Sequence, residues 1–126
     1  MKLTNLIPML ETKNLPETIK FYTENLGFIC DGIYPNNGEP CWANLKKDAV
    51  SIMFSTGSTG NCHATTEKPI MTGSLYLYPD NVDEIWEQLK DKVTIEYPIE
   101  NFEYGMREFA IKDCNGYLIQ FGQSID

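Results

Sequence analysis

Few residues in this 126-residue chain are of types and spacings that do chemistry. The lone histidine, His63, lies among Gly, Ser and Thr with no second His or acid at metal-ligand spacing. It reads as an exposed loop histidine rather than a ligand or a general base. Four cysteines, Cys30, Cys41, Cys62 and Cys114, occur singly without a CxxC pair, and scattered cysteines of this kind read as reduced thiols. No Ser-His-Asp or Cys-His arrangement and no Gly-rich phosphate loop is present. Glu11 is the carboxylate best placed to act as a general base or to meet a cation. Arg107 and Glu108 alternate along one extended run and so point to opposite sides of it. Arg107 suits an ion pair with Glu11, Glu103 or an acid of a partner chain, or else a ligand contact.

These side chains need a frame, and the C-terminal run from Tyr104 to Phe121 supplies its clearest sign. Two alternating apolar runs flank Asp113-Cys114-Asn115-Gly116, and Asn-Gly between such runs signals a hairpin because Gly tolerates positive φ. The run also repeats. Subtracting 67 takes Phe109 to Trp42 (109 − 42 = 67), Ala110 to Ala43, Ile119 to Ile52, Phe121 to Phe54 and Asn115-Gly116 to Asp48-Ala49. Upstream, Leu77 falls on Leu10, Asn81 on Asn14, Glu84 on Glu17, Trp86 on Ile19, Val93 on Leu26 and Ile95 on Phe28. One gap-free offset over strands, a helix and a hairpin implies two copies of one unit.

In the first copy, Leu6 to Glu11 reads as a strand. Asn14 reads as an N-cap, with Pro16 at the helix start and Glu17 completing a capping box before the helix Thr18 to Asn25. Gly27 stops that helix. A strand from Phe28 to Tyr34, a turn at Pro35-Asn36-Asn37-Gly38 and a hairpin of Cys41 to Lys46 with Val50 to Phe54 follow. The second copy repeats the plan: strand Gly73 to Tyr78, helix from Asn81 to Leu89 or Lys90, strand Val93 to Tyr97, turn Pro98 to Glu103 and the closing hairpin. Module one is thus 1–54, a linker 55–71 and module two 72–126, together one α+β domain over 1–126.

Bulk properties narrow the partners. A hydrophobic content of 42% with 22% charged residues is that of a soluble globular domain. No apolar run approaches the ~20 residues that span a bilayer, and the N-terminus lacks a signal-peptide pattern, so a cytoplasmic location is expected. The net charge of −8 disfavours nucleic acid, whose phosphates call for a basic surface.

Paired β-α-β-β-β units, the run Asn14-Leu15-Pro16-Glu17-Thr18-Ile19-Lys20-Phe21-Tyr22 with Leu26-Gly27-Phe28, and Tyr104-Gly105-Met106-Arg107-Glu108-Phe109 with Asp113-Cys114-Asn115-Gly116 resemble the vicinal oxygen chelate superfamily. The chain looks most like its glyoxalase and bleomycin resistance branch. That resemblance implies two tandem βαβββ modules forming a curved mixed-sheet cleft, with two chains building two clefts in a homodimer. Metal-dependent relatives place ligands at positions that here are Ile7, Met53, Ser74 and Gln120. Ile7 and Met53 offer neither imidazole nor carboxylate, so the resemblance implies no metal and no other cofactor here.

Strand alternation puts Met9 and Glu11 on the face of Ile7, and Tyr76 and Tyr78 on the face of Ser74. From the hairpins Trp42 and Asn44 project with Phe109 and Ile111 at the equivalent positions, while Met53 and Gln120 lie on adjoining strands. Met9, Trp42, Met53, Tyr76, Tyr78, Tyr104, Arg107 and Gln120 are therefore the expected ligand-binding residues. Phe54, Phe109 and Phe121 read as core rather than as ligand contacts. The leading expectation is a metal-free protein that sequesters an aromatic or cationic small molecule in a dimer cleft. Its rivals are a metal-dependent lyase, isomerase or dioxygenase, and a module that uses the fold only for association.

Overall fold

Both expected helices form, and their starts follow from the residues that cap them. The computed structural model describes residues 1–56 and 70–126. In it α1 spans Leu15–Asn25 and α2 spans Val82–Leu89. Asn14 Oδ1 accepts from the Glu17 backbone N–H at 3.0 Å, and Asn81 Oδ1 accepts from that of Glu84 at 3.2 Å. Each cap satisfies an N–H that a helix start leaves without an intrahelical partner. Gly27, at φ 73°, takes the left-handed conformation that ends the first helix. Neither helix is long and apolar enough to cross a membrane.

The strands are β1 Met9–Glu11, β2 Ile29–Tyr34, β3 Trp42–Lys47, β4 Val50–Ser55, β5 Leu75–Leu77, β6 Thr94–Asn101, β7 Met106–Lys112 and β8 Leu118–Ser124. The chain forms two compact units, Met1–Lys68 and Pro69–Asp126. The first holds a sheet ordered β1-β4-β3-β2 and the second a sheet ordered β5-β8-β7-β6. In each, the first-named pair is parallel and the other strands are antiparallel. This is the α+β fold of two βαβββ modules.

Each sheet buries one face under its own helix. In the first unit Leu10, Ala43, Leu45, Ile52 and Phe54 are buried with Leu15, Tyr22 and Phe28, and the Tyr22 ring meets Phe54 at 5.2 Å and Phe28 at 5.5 Å. In the second, Phe109, Ile111, Ile119 and Phe121 are buried with Val82 and Leu89. Phe109 stacks on Phe121 at 4.9 Å and meets the edge of Trp86 at 5.1 Å. Leaving such side chains in water would cost about 1.5–3 kcal/mol each.

The repeat persists with one correction. Met9 opposes Met53 and Tyr76 opposes Gln120, which keeps the offset of 67 (76 − 9 and 120 − 53). On the hairpins Trp42 opposes Ser55 and Glu108 opposes Gly122, so β8 is offset from β4 by 67 (122 − 55) but β7 from β3 by 66 (108 − 42). The cause is the turn. Lys47 pairs directly with Val50 around Asp48-Ala49, whereas Asp113 and Tyr117 close around Cys114-Asn115-Gly116 through a 3.0 Å backbone bond. Gly116, at φ 96°, takes the left-handed position that a three-residue hairpin loop requires. Asp113 Oδ1 steadies the loop by accepting from the Asn115 and Tyr117 N–H groups at 2.9 and 2.8 Å.

One extra residue reverses the face of every side chain before it on the strand. The expected equivalence of Phe109 and Ile111 with Trp42 and Asn44 is therefore wrong; Glu108 and Ala110 occupy those places, and Phe109 and Ile111 lie in the core. Two smaller expectations also change. The segment from Pro98, expected to turn, continues β6 as far as Asn101, which an edge strand with a bulge tolerates because no ladder bond is asked of the proline N. Cys41 is disulfide-bonded rather than a reduced thiol, while Cys30 and Cys114 form no disulfide. His63 and most of the expected linker lie outside the described residues.

Candidate functional site

On the face of the second sheet turned away from α2, five side chains close a hydrogen-bond network around Glu108. The carboxylate is buried, with a relative exposure of 1%, because β7 is a central strand and Glu108 is flanked by its neighbours on both sides. Tyr76 on β5 donates its hydroxyl to Glu108 Oε1 at 2.6 Å. Tyr97 on β6 donates to Oε2. Gln120 on β8 donates Nε2 to the Tyr97 hydroxyl at 2.8 Å and to Glu108 Oε2 at 3.4 Å. The Gln120 amide oxygen in turn accepts from the Ser74 hydroxyl. Every strand of the sheet, together with the residue preceding β5, contributes one member.

The network explains a glycine inside a strand. A Cβ built on Gly122 would lie 2.6 Å from Tyr76 Cζ and overlap its hydroxyl. Gly122 opposes Glu108, so the missing side chain is the space through which Tyr76 reaches the carboxylate.

Charge in this network has a definite sign. Burial pushes the Glu108 carboxyl up, but hydrogen bonds from Tyr76, Tyr97, Tyr104 and Gln120 outweigh burial and hold it below its ordinary value. Glu108 is therefore an anion at neutral pH. Tyr97 is pushed up to about 12, first by burial and then by the adjacent Glu108, against the opposing Gln120 bond. Burial and Glu108 also raise Tyr76 and Tyr104. All three phenols keep their protons, and the carboxylate is too weak a base at neutral pH to serve readily in proton abstraction.

The corresponding face of the first unit is mostly apolar. Met9 and Met53 are register partners on β1 and β4, and Asn44 opposes Met53 from β3. Trp42, half-buried, lies against β2 where a Cβ on Gly32 would come 3.3 Å from its ring. Asn44 Nδ2 donates to Asp31 at 2.6 Å, while the buried Asn44 Oδ1 accepts no hydrogen bond among the described residues. Glu11 is half-buried at the end of β1, opposite Ser55.

Of the expected binding residues, Tyr76, Tyr104 and Gln120 come together around Glu108, and Tyr78 lies beside Tyr76 at 5.0 Å. Met9, Trp42 and Met53 share the face of the first unit. Arg107 joins neither group. It turns to the start of α2, where Nε and Nη2 bond Asp83 Oδ1 at 3.0 and 2.9 Å, and its Nη1 bonds Asn101 at 3.0 Å. Its acid is thus Asp83 rather than Glu11 or Glu103. Sequence reasoning missed Glu108 and Tyr97 as members of the site. The signal was the loop length, since a three-residue loop against a two-residue turn moves Glu108 onto the face that Phe109 was expected to hold.

The positions that resemblance assigns to a metal do not fit one. Ile7 has no donor atom and Met53 only a thioether. The Ser74 hydroxyl is engaged with the Gln120 oxygen, and the Gln120 nitrogen with Tyr97 and Glu108. Among the described residues no three His, Cys, Asp or Glu side chains are grouped so as to hold a metal ion.

Known proteins share this architecture. The structure of TioX from Micromonospora sp. ML1 superposes with a TM-score of 0.79 at 17% identity, covering 97% of this chain and 99% of TioX. A bleomycin resistance determinant encoded on the transposon Tn5 gives 0.71 at 22% identity, over 98% of this chain and 100% of that one. A bleomycin-binding protein from bleomycin-producing Streptomyces verticillus, solved with copper(II)-bleomycin, gives 0.70 at 20% identity over 96% of both chains. At these identities the likeness shows the fold alone. None of the curated proteins matches the sequence. The family described as Glyoxalase/Bleomycin resistance protein/Dioxygenase superfamily matches residues 8–121, and the chain therefore belongs to that superfamily.

Proposed function

We propose that this protein is a metal-free small-molecule-binding protein of the bleomycin resistance type, which sequesters an aromatic or cationic ligand as a homodimer. The observation that carries this reading is the state of Gln120. It is the strongest donor at the family's metal positions, and both ends of its amide are spent inside a closed network. In the first unit Trp42 and Met53, and in the second Tyr76, Tyr78 and Tyr104, offer the flat or adaptable side chains that small-molecule sites use. The bleomycin resistance determinant and the bleomycin-binding protein among the fold neighbours support a binding role and suggest bleomycin for a first ligand panel.

Fluorescence tests this directly. Trp86 packs in the core against Phe109, so a Trp86→Phe variant leaves Trp42 as the reporter on the apolar face. Flat aromatic and cationic compounds, bleomycin included, are expected to change its emission saturably. A panel without any saturable response overturns the reading, as does a stoichiometric divalent ion in protein purified without chelator.

A further inference from the structure

Among the described residues Glu108 is an anion without a cation. The described ion pairs join Lys47 to Asp48, Lys90 to Glu87, Arg107 to Asp83 and Lys112 to Glu96, and none of them includes Glu108. Among the described residues its hydrogen-bond partners are neutral. Hydroxyl and amide donors satisfy the lone pairs of a buried carboxylate but leave its full charge in place, where little solvent screens it.

The groups around that charge are aromatic. Tyr76 and Tyr97 bond the carboxylate directly, and each continues into a second ring: Tyr78 at 5.0 Å from Tyr76, and Phe102 at 5.6 Å from Tyr97. Tyr104 stacks on Phe102 at 5.4 Å with an interplanar angle of 12°. Tyr78 and Tyr104 are 78% and 62% exposed, so ring faces at both ends of the cluster are open to a visitor. A phenol that donates its proton to a carboxylate has a more electron-rich ring, which strengthens its attraction for a cation. Contiguous exposed aromatic surface of this kind marks an interaction site.

We infer that the Tyr76, Tyr78, Tyr97, Phe102 and Tyr104 cluster, with Glu108 beneath it, is a binding site for an organic cation of the alkylammonium class. The cation lies against the ring faces and feels the Glu108 charge through them, without displacing the hydroxyls. Strongly hydrated inorganic cations are a poor match, because the cluster offers rings rather than oxygen ligands to replace their water. This inference rests on the binding function proposed above and narrows its ligand from aromatic or cationic to cationic at the second unit.

Choline and its neutral carbon isostere, 3,3-dimethylbutan-1-ol, test it, because they differ chiefly in charge. Binding is read by NMR shifts of the tyrosine ring resonances. Choline is expected to bind about tenfold more tightly than the isostere, the ratio that one cation–π site supplies. Glu108→Gln, which keeps the shape and leaves one oxygen to accept from a tyrosine, is expected to lower the ratio several-fold, because the ring faces remain but the charge beneath them is gone. Tyr104→Leu, which removes an exposed ring face at the edge of the cluster, is expected to weaken choline binding. Equal binding of the two probes, or a preference left unchanged by Glu108→Gln, overturns the inference. Saturable quenching of Trp42 by the ligand panel alongside choline-insensitive tyrosines overturns it while leaving the wider reading intact; failure of both titrations overturns both.

Discussion

At equivalent strand positions the two units carry opposite chemistry on the faces turned from their helices. Trp42 opposite Ser55 in the first corresponds to Glu108 opposite Gly122 in the second, and the Met9 and Met53 pair corresponds to Tyr76 and Gln120. The core faces stayed alike: Leu45, Ile52 and Phe54 correspond to Ile111, Ile119 and Phe121. Even there, size has been exchanged between layers, since Tyr22 with Ala43 in one unit answers to Leu89 with Phe109 in the other. A duplicated frame keeps what closes its core, because close packing penalises a change of volume unless a neighbour compensates. The opposite face escapes that constraint, so one copy has become an apolar surface and the other a polar network.

The largest test of this comparison is Phe109→Ala. If Phe109 belongs to the core, stacked on Phe121 and edge-on to Trp86, its loss should cost about 3–5 kcal/mol in chemical denaturation. A cost under ~1 kcal/mol would return Phe109 to the ligand face and restore the unbroken repeat. Glu108→Gln comes next. It removes a charged acceptor from a buried network and should cost about 1–3 kcal/mol.

That substitution should also flatten the pH dependence of stability. Glu108 has a lowered folded pKa, so its contribution is present above the ordinary glutamate value and is lost as pH falls through the folded one. Tyr97 and Tyr76 have raised values, so theirs is present below the ordinary phenol value and is lost as pH rises toward about 12, the folded value of Tyr97. Thermal unfolding across both windows reads the two losses, and the Gln variant should lack the acid one.

The glycines sharpen the contrast further. Gly122→Ala forces Tyr76 off the carboxylate and should cost about 1–3 kcal/mol, whereas Gly32→Ala asks the Trp42 ring to give by a few tenths of an ångström and should cost less. Equal costs would mean that Tyr76 has another seat. The smallest effect is expected at Asn44→Leu. It removes an unmatched buried acceptor and an exposed bond to Asp31, so stability should change by less than about 0.5 kcal/mol or rise. A substantial loss there would show that the apolar face depends on a polar contact of its own.

Local signals made the frame legible. Asn14 and Asn81 announced both helices, and the Asn-Gly pair announced the closing hairpin, because caps and turns are satisfied by residues a few positions away. The non-ligating residues at the family's metal positions were also readable one by one. Arg107 could be assigned an acid but not the right one, since Asp83 is brought to it by the docking of α2 and is distant in sequence.

Sequence alone thus determined two βαβββ copies, their capped helices and the side chains available to them. Tertiary structure decided which face each side chain occupies. A single additional residue between Lys112 and Leu118 turned Glu108 toward Tyr76, Tyr97 and Gln120 and sent Phe109 into the core. Strand alternation has a period of two, so one residue of loop length inverts the assignment, and the resulting register becomes certain only when the neighbouring strands are paired.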